Sequence, residues 1–106
     1  MKDKTLAVPI DQQGVSDYEN DVTKTDRLKY FILPYKEFNS MESDGFFDLL
    51  NDRFDLWIDE YEEEIIPNKH LVAVKEIVKS SGKKYTLFLQ ALDYAIECDT
   101  ELCLEF

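Results

Sequence analysis

The stretch that decides the fold is SDGFFDLLNDRFDLWIDEYEEEII, residues Ser43–Ile66. At 100° per residue, its apolar side chains fall within about 120° of arc, as on one face of a helix. These side chains are Phe46, Phe47, Leu50, Phe54, Trp57, Ile58, Tyr61 and Ile65. The opposite side carries Asp44, Asp48, Asp52, Asp55, Asp59, Glu62 and Glu63. The pattern predicts one helix across this stretch, or two helices with a break near Asp52–Asp55.

Six of these acids form what we call the acidic stripe: Asp48, Asp52, Asp55, Asp59, Glu62 and Glu63. Charge runs are commonly solvated helix faces. The stripe lacks the interleaved lysines that normally support an exposed helix, and like charges at i, i+4 repel by a few tenths of a kcal/mol. Glu60 and Glu64 project at the edge of the apolar face, near Trp57 and Tyr61. Aromatic residues at this spacing are more often core, so we expect Trp57 to be buried. The interface interpretation predicts that the stripe, together with Glu60, binds a partner.

The flanking segments predict the remaining elements. RLKYFIL (Arg27–Leu33) is typical of a strand that ends at Pro34, and ELCLEF (Glu101–Phe106) alternates like a half-buried strand. We expect these two strands to pair with each other. Two further helices are predicted by apolar and polar periodicity, at Asn68–Gly82 and at Tyr85–Cys98.

Residues 1–26 are polar and lack sustained periodicity. They predict an extended or irregular lead-in, with a short strand near Leu6–Val8. Together the segments predict a single α+β domain over residues 1–106, with three or four helices packed on a small, mostly antiparallel sheet.

The charge balance restricts the class of partner. The chain of 106 residues has 12 basic and 23 acidic residues and a net charge of -11. That balance argues against direct binding of nucleic acid phosphates or of an anionic membrane surface. A basic protein is the electrostatically complementary partner. Two cysteines, no signal-peptide core and no long apolar run predict a reduced, cytoplasmic protein without a membrane span.

Catalytic signatures are absent from the sequence. His70 is the single histidine, and a nucleophile would have to use Cys98 or Cys103, both of which lie on elements predicted to be buried. The chain has three glycines and no phosphate-binding loop, and its carboxylates lie in a row instead of converging on a metal. The sequence predicts a protein that is not an enzyme and has no cofactor and no metal site.

The texts FFDLLNDRFDLWIDEYEEEII and AIECDTELCLEF, in an acidic α+β domain of this size, resemble the bacterial immunity proteins. These proteins neutralise toxin domains in contact-dependent growth inhibition and related polymorphic toxin systems. The resemblance covers residues 27–106 and rests on size, charge and the mixture of aromatic and acidic residues. It implies a cytoplasmic inhibitor that binds a cognate toxin domain, many of which are nucleases with basic clefts.

Three alternatives remain open from the sequence. The chain could be an acidic adaptor or a nucleic-acid-mimicking regulator of a nucleic-acid enzyme, with several basic partners. It could be a small enzyme that uses two carboxylates with raised pKa values. Self-association is also possible, with the basic block around Lys75–Lys84 contacting the acidic helix of a second copy.

Overall fold

The computed structural model describes residues 2–22 and 25–106. Its strands are β1 (Lys4–Pro9), β2 (Leu28–Leu33), β3 (Glu63–Ile66) and β4 (Leu102–Glu105). Its helices are α1 (Gln12–Glu19), α2 (Tyr35–Ser43), α3 (Phe46–Phe54), α4 (Asn68–Ser81) and α5 (Thr86–Cys98). The strand order is β2-β1-β4-β3, and each neighbouring pair is antiparallel. The predicted α+β class is confirmed, with five helices among the described residues instead of three or four.

The main core lies between one face of the sheet and the helices. Leu6 of β1 and Leu104 of β4 are opposite each other in the register and are fully buried. Phe88 and Leu92 of α5 belong to the same cluster of buried residues, which accounts for the narrow polar stripe of this helix. Burial of this apolar surface is the main term that stabilises the fold.

An aromatic cluster closes one end of this core. The ring centroid of Phe38, in α2, lies 5.4 Å from that of Phe47 and 5.0 Å from that of Phe106. The Nζ atom of Lys4 lies 5.0 Å from the centre of the Phe38 ring. Edge-to-face aromatic pairs and this cation–π contact add to the stabilisation that burial gives.

Helix α1 covers part of the opposite face of the sheet, where Ala7 and Cys103 are buried side by side. The side-chain carboxylate of Asp11 accepts a hydrogen bond of 2.9 Å from the Gly14 N–H and so caps the helix. A Cβ atom at Gly14 would lie 2.3 Å from the carbonyl oxygen of Arg27. Glycine at this position therefore allows α1 to approach the backbone that leads into β2.

The predicted extended or irregular lead-in over residues 1–26 is wrong in one respect, since Gln12–Glu19 form helix α1. The strand expected near Leu6–Val8 exists as β1, but it is a central strand of the sheet. Because β1 lies between β2 and β4, the predicted pairing of Arg27–Leu33 with Glu101–Phe106 is also wrong. The side chain of Lys29, in β2, lies over the rings of Phe31 and Tyr94.

The two helices predicted in the second half of the chain are confirmed as α4 and α5. Gly82 follows α4 with φ 70°, the left-handed conformation expected of a glycine at the C-terminal end of a helix. The first free N–H groups of α5 find an acceptor in another helix. The Glu37 carboxylate of α2 accepts hydrogen bonds from the N–H of Leu87 at 3.4 Å and of Phe88 at 2.9 Å. This contact fixes the start of α5 against α2.

Three aspartates have a left-handed backbone, with φ of 54° at Asp21, 57° at Asp55 and 56° at Asp99. Asp55 and Asp99 are the C-cap residues, directly after the last residues of α3 and α5. Asp21 lies two residues beyond the end of α1. Asp tolerates this conformation better than most residues with a side chain, although glycine is the usual choice.

Candidate functional site

The helix predicted across Ser43–Ile66 is interrupted in the structure. Helix α3 ends at Phe54, because Asp55 turns the backbone into the left-handed region with φ 57° and ψ 45°. The alternative with a break near Asp52–Asp55 located this end correctly, but no second helix follows it. Residues 55–62 are irregular, and Glu63–Ile66 form the edge strand β3 against β4. The acidic stripe is therefore divided among a helix, a loop and a strand.

We call residues 55–62 the aromatic–acidic loop. Its position is fixed by Asn51, the residue one turn before the end of α3. The Asn51 side-chain amide donates to the Ile58 carbonyl at 3.1 Å, and its oxygen accepts from the Ile58 N–H at 2.7 Å. The Ile58 side chain is buried in the core, so the middle of the loop is held by both backbone hydrogen bonds and apolar packing.

Glu64 of β3 holds the same loop from the other side. One carboxylate oxygen of Glu64 accepts a hydrogen bond of 2.7 Å from the Trp57 N–H. Its second oxygen accepts one of 2.8 Å from the Ile65 N–H. Within the loop, the Asp59 carboxylate accepts a hydrogen bond of 2.8 Å from the Tyr61 N–H, as in an Asx turn. Backbone donors of the loop are thus satisfied by side chains of this chain.

This arrangement exposes the two aromatic side chains of the loop. Trp57 is 77% exposed and Tyr61 is 85% exposed. The expectation that Trp57 belongs to the core is therefore wrong. The core residue of this segment is its neighbour Ile58, because the extended backbone after Asp55 no longer follows the helical period. Large aromatic side chains on a fixed backbone are the residues that most often dominate protein–protein interfaces.

The predicted site residues surround this loop. Asp48 and Asp52 lie on α3, while Asp55, Asp59 and Glu62 belong to the loop and Glu63 begins β3. All six residues of the acidic stripe are exposed, and none forms an ion pair with a lysine or arginine of the described residues. Glu60 differs, since it is half-buried and lies 3.6 Å from the Nζ atom of Lys4. The structure brings the loop acids beside Trp57 and Tyr61, but not onto one helical face.

Asn51 is the residue of this site that sequence reasoning missed, and Glu64, expected only as a carboxylate near Trp57, acts on the loop backbone. Both act on backbone groups seven residues away, through a turn that the helical periodicity hides. Only their positions in the sequence could have indicated this role. Each lies close to one end of the segment Asp55–Glu62, and each side chain is long enough to reach the backbone of that segment.

Glu101 is a buried carboxylate outside the loop. Burial raises the pKa of its carboxyl group, and the nearby charge of Glu19 raises that pKa further. An ionised Glu101 at neutral pH therefore destabilises the folded state, and this penalty disappears as the pH falls through the folded-state pKa toward the ordinary value of about 4.3.

We expect Glu101→Gln to increase the free energy of unfolding at pH 7, because the amide carries no charge into the buried site. The substitution should also flatten the rise in stability that wild type shows as the pH falls through the folded-state pKa of Glu101 toward about 4.3. Urea denaturation at several pH values measures both effects. Glu97→Gln, at an exposed position of α5, is the matched control. A Glu101→Gln curve parallel to that of wild type would contradict the prediction.

The two cysteines and the single histidine are partly or fully buried in the fold. Cys103 is buried and Cys98 is half-buried, and both are free thiols. Burial raises the pKa of the Cys103 thiol, which keeps it protonated and a weak nucleophile. The ring of His70 is half-buried and lies 4.7 Å from the ring of Phe54, centroid to centroid.

A second surface feature is an open cleft of about 660 Å³ between α2 and the α4–α5 connection. Lys36, Lys83 and Lys84 line it, together with Asp44 and Tyr85. The Tyr85 hydroxyl donates a hydrogen bond of 2.6 Å to the Asp44 carboxylate, and burial raises its pKa, so the phenol stays protonated. This cleft contains neither a cysteine nor the histidine.

Among residues 2–22 and 25–106, no group of three or more His, Cys, Asp or Glu side chains is arranged to hold a metal ion. None of the helices in this part of the chain is both long and apolar enough to cross a membrane. Comparisons with protein-family models, with curated proteins and with solved structures found no significant match to this chain.

Proposed function

We propose that this protein is an immunity protein, which binds and neutralises a basic, nuclease-type toxin domain in the cytoplasm. The observation that supports the proposal is the aromatic–acidic loop. It has two exposed aromatic side chains on a fixed backbone, beside the carboxylates of Asp55, Asp59 and Glu62, which form no ion pair with a lysine of residues 2–22 or 25–106.

The aromatic residues would supply most of the affinity. Trp and Tyr are enriched among the few interface residues that dominate binding energy. Since Asn51 and Glu64 already fix the loop backbone, binding would order little beyond the side chains of Trp57 and Tyr61. A preorganised loop lowers the entropic cost of association.

The carboxylates would supply selectivity and a high association rate. Segment 42–66 has ten acidic residues and one arginine, in a chain of net charge -11. Such a field attracts a basic surface and speeds diffusional encounter, most strongly at low salt. A nuclease cleft that binds a phosphate backbone would accept exposed carboxylates such as those of Asp55, Asp59 and Glu62 in its place.

The experiment first asks whether the reading frame adjacent to this gene encodes a toxin domain, and then measures binding to that domain; an adjacent frame without one counts against the proposal. We expect Trp57→Ala to weaken affinity about 30-fold, mainly through faster dissociation. The triple variant Asp55→Lys, Asp59→Lys and Glu62→Lys should slow association about tenfold at low salt, with a smaller effect at high salt.

The matched control is Val72→Ala, which removes an apolar side chain that is 58% exposed on α4. Unchanged kinetics for both the tryptophan and the charge-reversal variants would remove the loop from the proposal. A pull-down from the native host separates an immunity protein from an adaptor or a nucleic-acid-mimicking regulator. The immunity protein should retain one cognate toxin, whereas the alternatives should retain several basic proteins.

A further inference from the structure

Helix α1 covers only part of its face of the sheet. The register places Ala7 and Cys103 opposite each other on this face, and both are fully buried. The next row on the same face, two residues along each strand, crosses all four strands. Its members are Ile32, Thr5, Glu105 and Glu63. The two ends of this row are exposed and its two middle residues are half-buried, so this end of the sheet face is open to solvent.

The uncovered end of the sheet has an apolar side and an acidic side. On β2, Tyr30 and Ile32 are each 55% exposed. On β4 and β3, Glu105 and Glu63 lie opposite each other in the register. We call these four residues, with Thr5 between them, the open sheet face. Exposed apolar side chains that lie together and are bordered by polar residues are typical of a surface that binds a partner.

A cleft of about 330 Å³ borders the open sheet face, where α1 approaches the sheet. The side chains of Tyr18 and Tyr30 line it, together with four carboxylates and, among the described residues, no basic group. The carboxylates are those of Asp17, Asp21, Glu63 and Glu105. A cleft with this lining is complementary to one long cationic side chain. An arginine fits best, because its guanidinium can bind two carboxylate oxygens at once and can stack on an aromatic ring.

The basic residues at β2 do not fill this cleft. Arg27 binds the Asp11 carboxylate at 2.9 Å. The side chain of Lys29 lies on the opposite face of the sheet, over the rings of Phe31 and Tyr94. None of the four carboxylates that line the cleft forms an ion pair with a basic residue of segments 2–22 and 25–106. Their charge is therefore left for a partner.

We propose that the open sheet face docks an amphipathic helix of a partner protein, one with an apolar stripe flanked by arginines. The apolar stripe lies on Tyr30 and Ile32, and one arginine enters the cleft beside Glu63 and Glu105. Four strands spaced about 4.8 Å apart span about 14 Å, which leaves room for one helix about 10 Å wide. Such a helix lies beside α1 and completes the second helical layer over the sheet.

Charge complementarity selects this occupant. The chain has a net charge of -11, so an acidic surface of a second copy is repelled from this face, whereas a basic helix is attracted to it. The inference does not rest on the proposed function, because an adaptor or a nucleic-acid-mimicking regulator also needs a basic partner. Glu63 is the one residue that the acidic stripe and the open sheet face share, and Trp57 and Tyr61 belong to neither.

Calorimetric titration of the full chain with a synthetic peptide tests the docking. The peptide is an amphipathic helix of about 18 residues, built from alanine, leucine and arginine, and its counterpart has glutamate in place of arginine. Wild type should bind the arginine peptide with a dissociation constant on the order of 10 µM at low salt, and the glutamate peptide at least about tenfold more weakly. Absence of binding, or equal binding of the two peptides, overturns the proposal.

Two substitutions that change the net charge equally separate docking on this face from general attraction to an acidic chain. Ile32→Lys should weaken binding of the arginine peptide more than about tenfold, since it places a cation in the apolar half of the face. Val72→Lys, at an apolar position of α4 that is 58% exposed, should weaken it less than about twofold. Equal losses for the two variants overturn the proposal.

Amide chemical shifts of wild type locate the peptide without any variant. Shift changes at saturation should concentrate in α1, β2 and β4 and should be small at residues 55–62. Changes confined to residues 55–62 overturn this proposal and leave the proposed function standing. Sedimentation of the free chain at the same concentration should show a monomer. Self-association that Ile32→Lys abolishes would assign the open sheet face to a second copy and would also overturn the proposal.

Discussion

Replacing Phe38 with alanine is expected to lower the free energy of unfolding by about 4 kcal/mol. Phe38 is almost completely buried and packs against Tyr35, Phe47 and Phe106. The substitution removes its apolar surface from the core and leaves a cavity among rings that cannot all collapse into it. It also removes the aromatic face beneath Lys4. Few substitutions in this chain should have a larger effect.

Urea denaturation followed by far-ultraviolet circular dichroism measures this loss, and Trp57→Ala is the control. Trp57 is the one tryptophan of the chain and is 77% exposed, so its truncation should change stability by less than about 0.5 kcal/mol. A large loss for Trp57→Ala would mean that this side chain is buried, and would contradict the described loop.

The second large effect is expected at Asn51. Asn51→Ala leaves the N–H and the carbonyl of Ile58 without their side-chain partners, in a half-buried part of the structure. We expect the free energy of unfolding to fall by about 3 kcal/mol, since each unpaired group carries a desolvation cost. Hydrogen exchange at residues 55–62 should also become faster, because local opening of the loop needs less free energy.

Hydrogen exchange read by mass spectrometry, together with urea denaturation, separates the two consequences. Asn39→Ala is the matched control, because Asn39 is an exposed asparagine on α2. Equal effects of the two substitutions would show that the Asn51 side chain does not hold the loop.

The elements that the sequence predicted well are those whose local signals agree with their tertiary surroundings. Helix α4 has an apolar stripe through Leu71 and Val74 and ends at Gly82, where the backbone is left-handed. Helix α5 was recognised from the polar residues Gln90 and Asp93, which are exposed as expected. In both segments, propensity, periodicity and burial favour the same conformation.

The sequence indicated a break near the end of α3, but it did not predict the loop and the strand β3 that follow. Trp57, Ile58 and Tyr61 continue the helical spacing of the apolar residues before them, although Asp55 has already left the helix. No glycine marks that position, since an aspartate adopts the left-handed backbone there. The segment Glu63–Ile66 becomes a strand because β4 supplies its hydrogen-bonding partners, a long-range contact that local periodicity does not contain.

The N-terminal part was predicted only in part, since the strand near Leu6–Val8 was expected but its central position and helix α1 were not. β1 is buried on both faces because α1 packs on one face and α5 on the other, so it reads as the short apolar run Leu6–Val8 and not as an alternating pattern. Helix α1 has a glycine in its interior, at Gly14, which lowers helix propensity. The closeness of Arg27 explains that glycine only once the fold is known.

The left-handed aspartates have a consequence for the origin of the net charge. At Asp55 and Asp99 a negative side chain lies at the carboxyl end of a helix, where the helix dipole disfavours it, and in a backbone region that glycine occupies without strain. At Asp99 part of this cost is offset, because the carboxylate accepts a hydrogen bond of 3.1 Å from the side-chain amide of Asn68. At Asp55 the negative charge and the left-handed backbone both oppose stability, so this residue adds to the acidity of the aromatic–acidic loop at a cost to the fold.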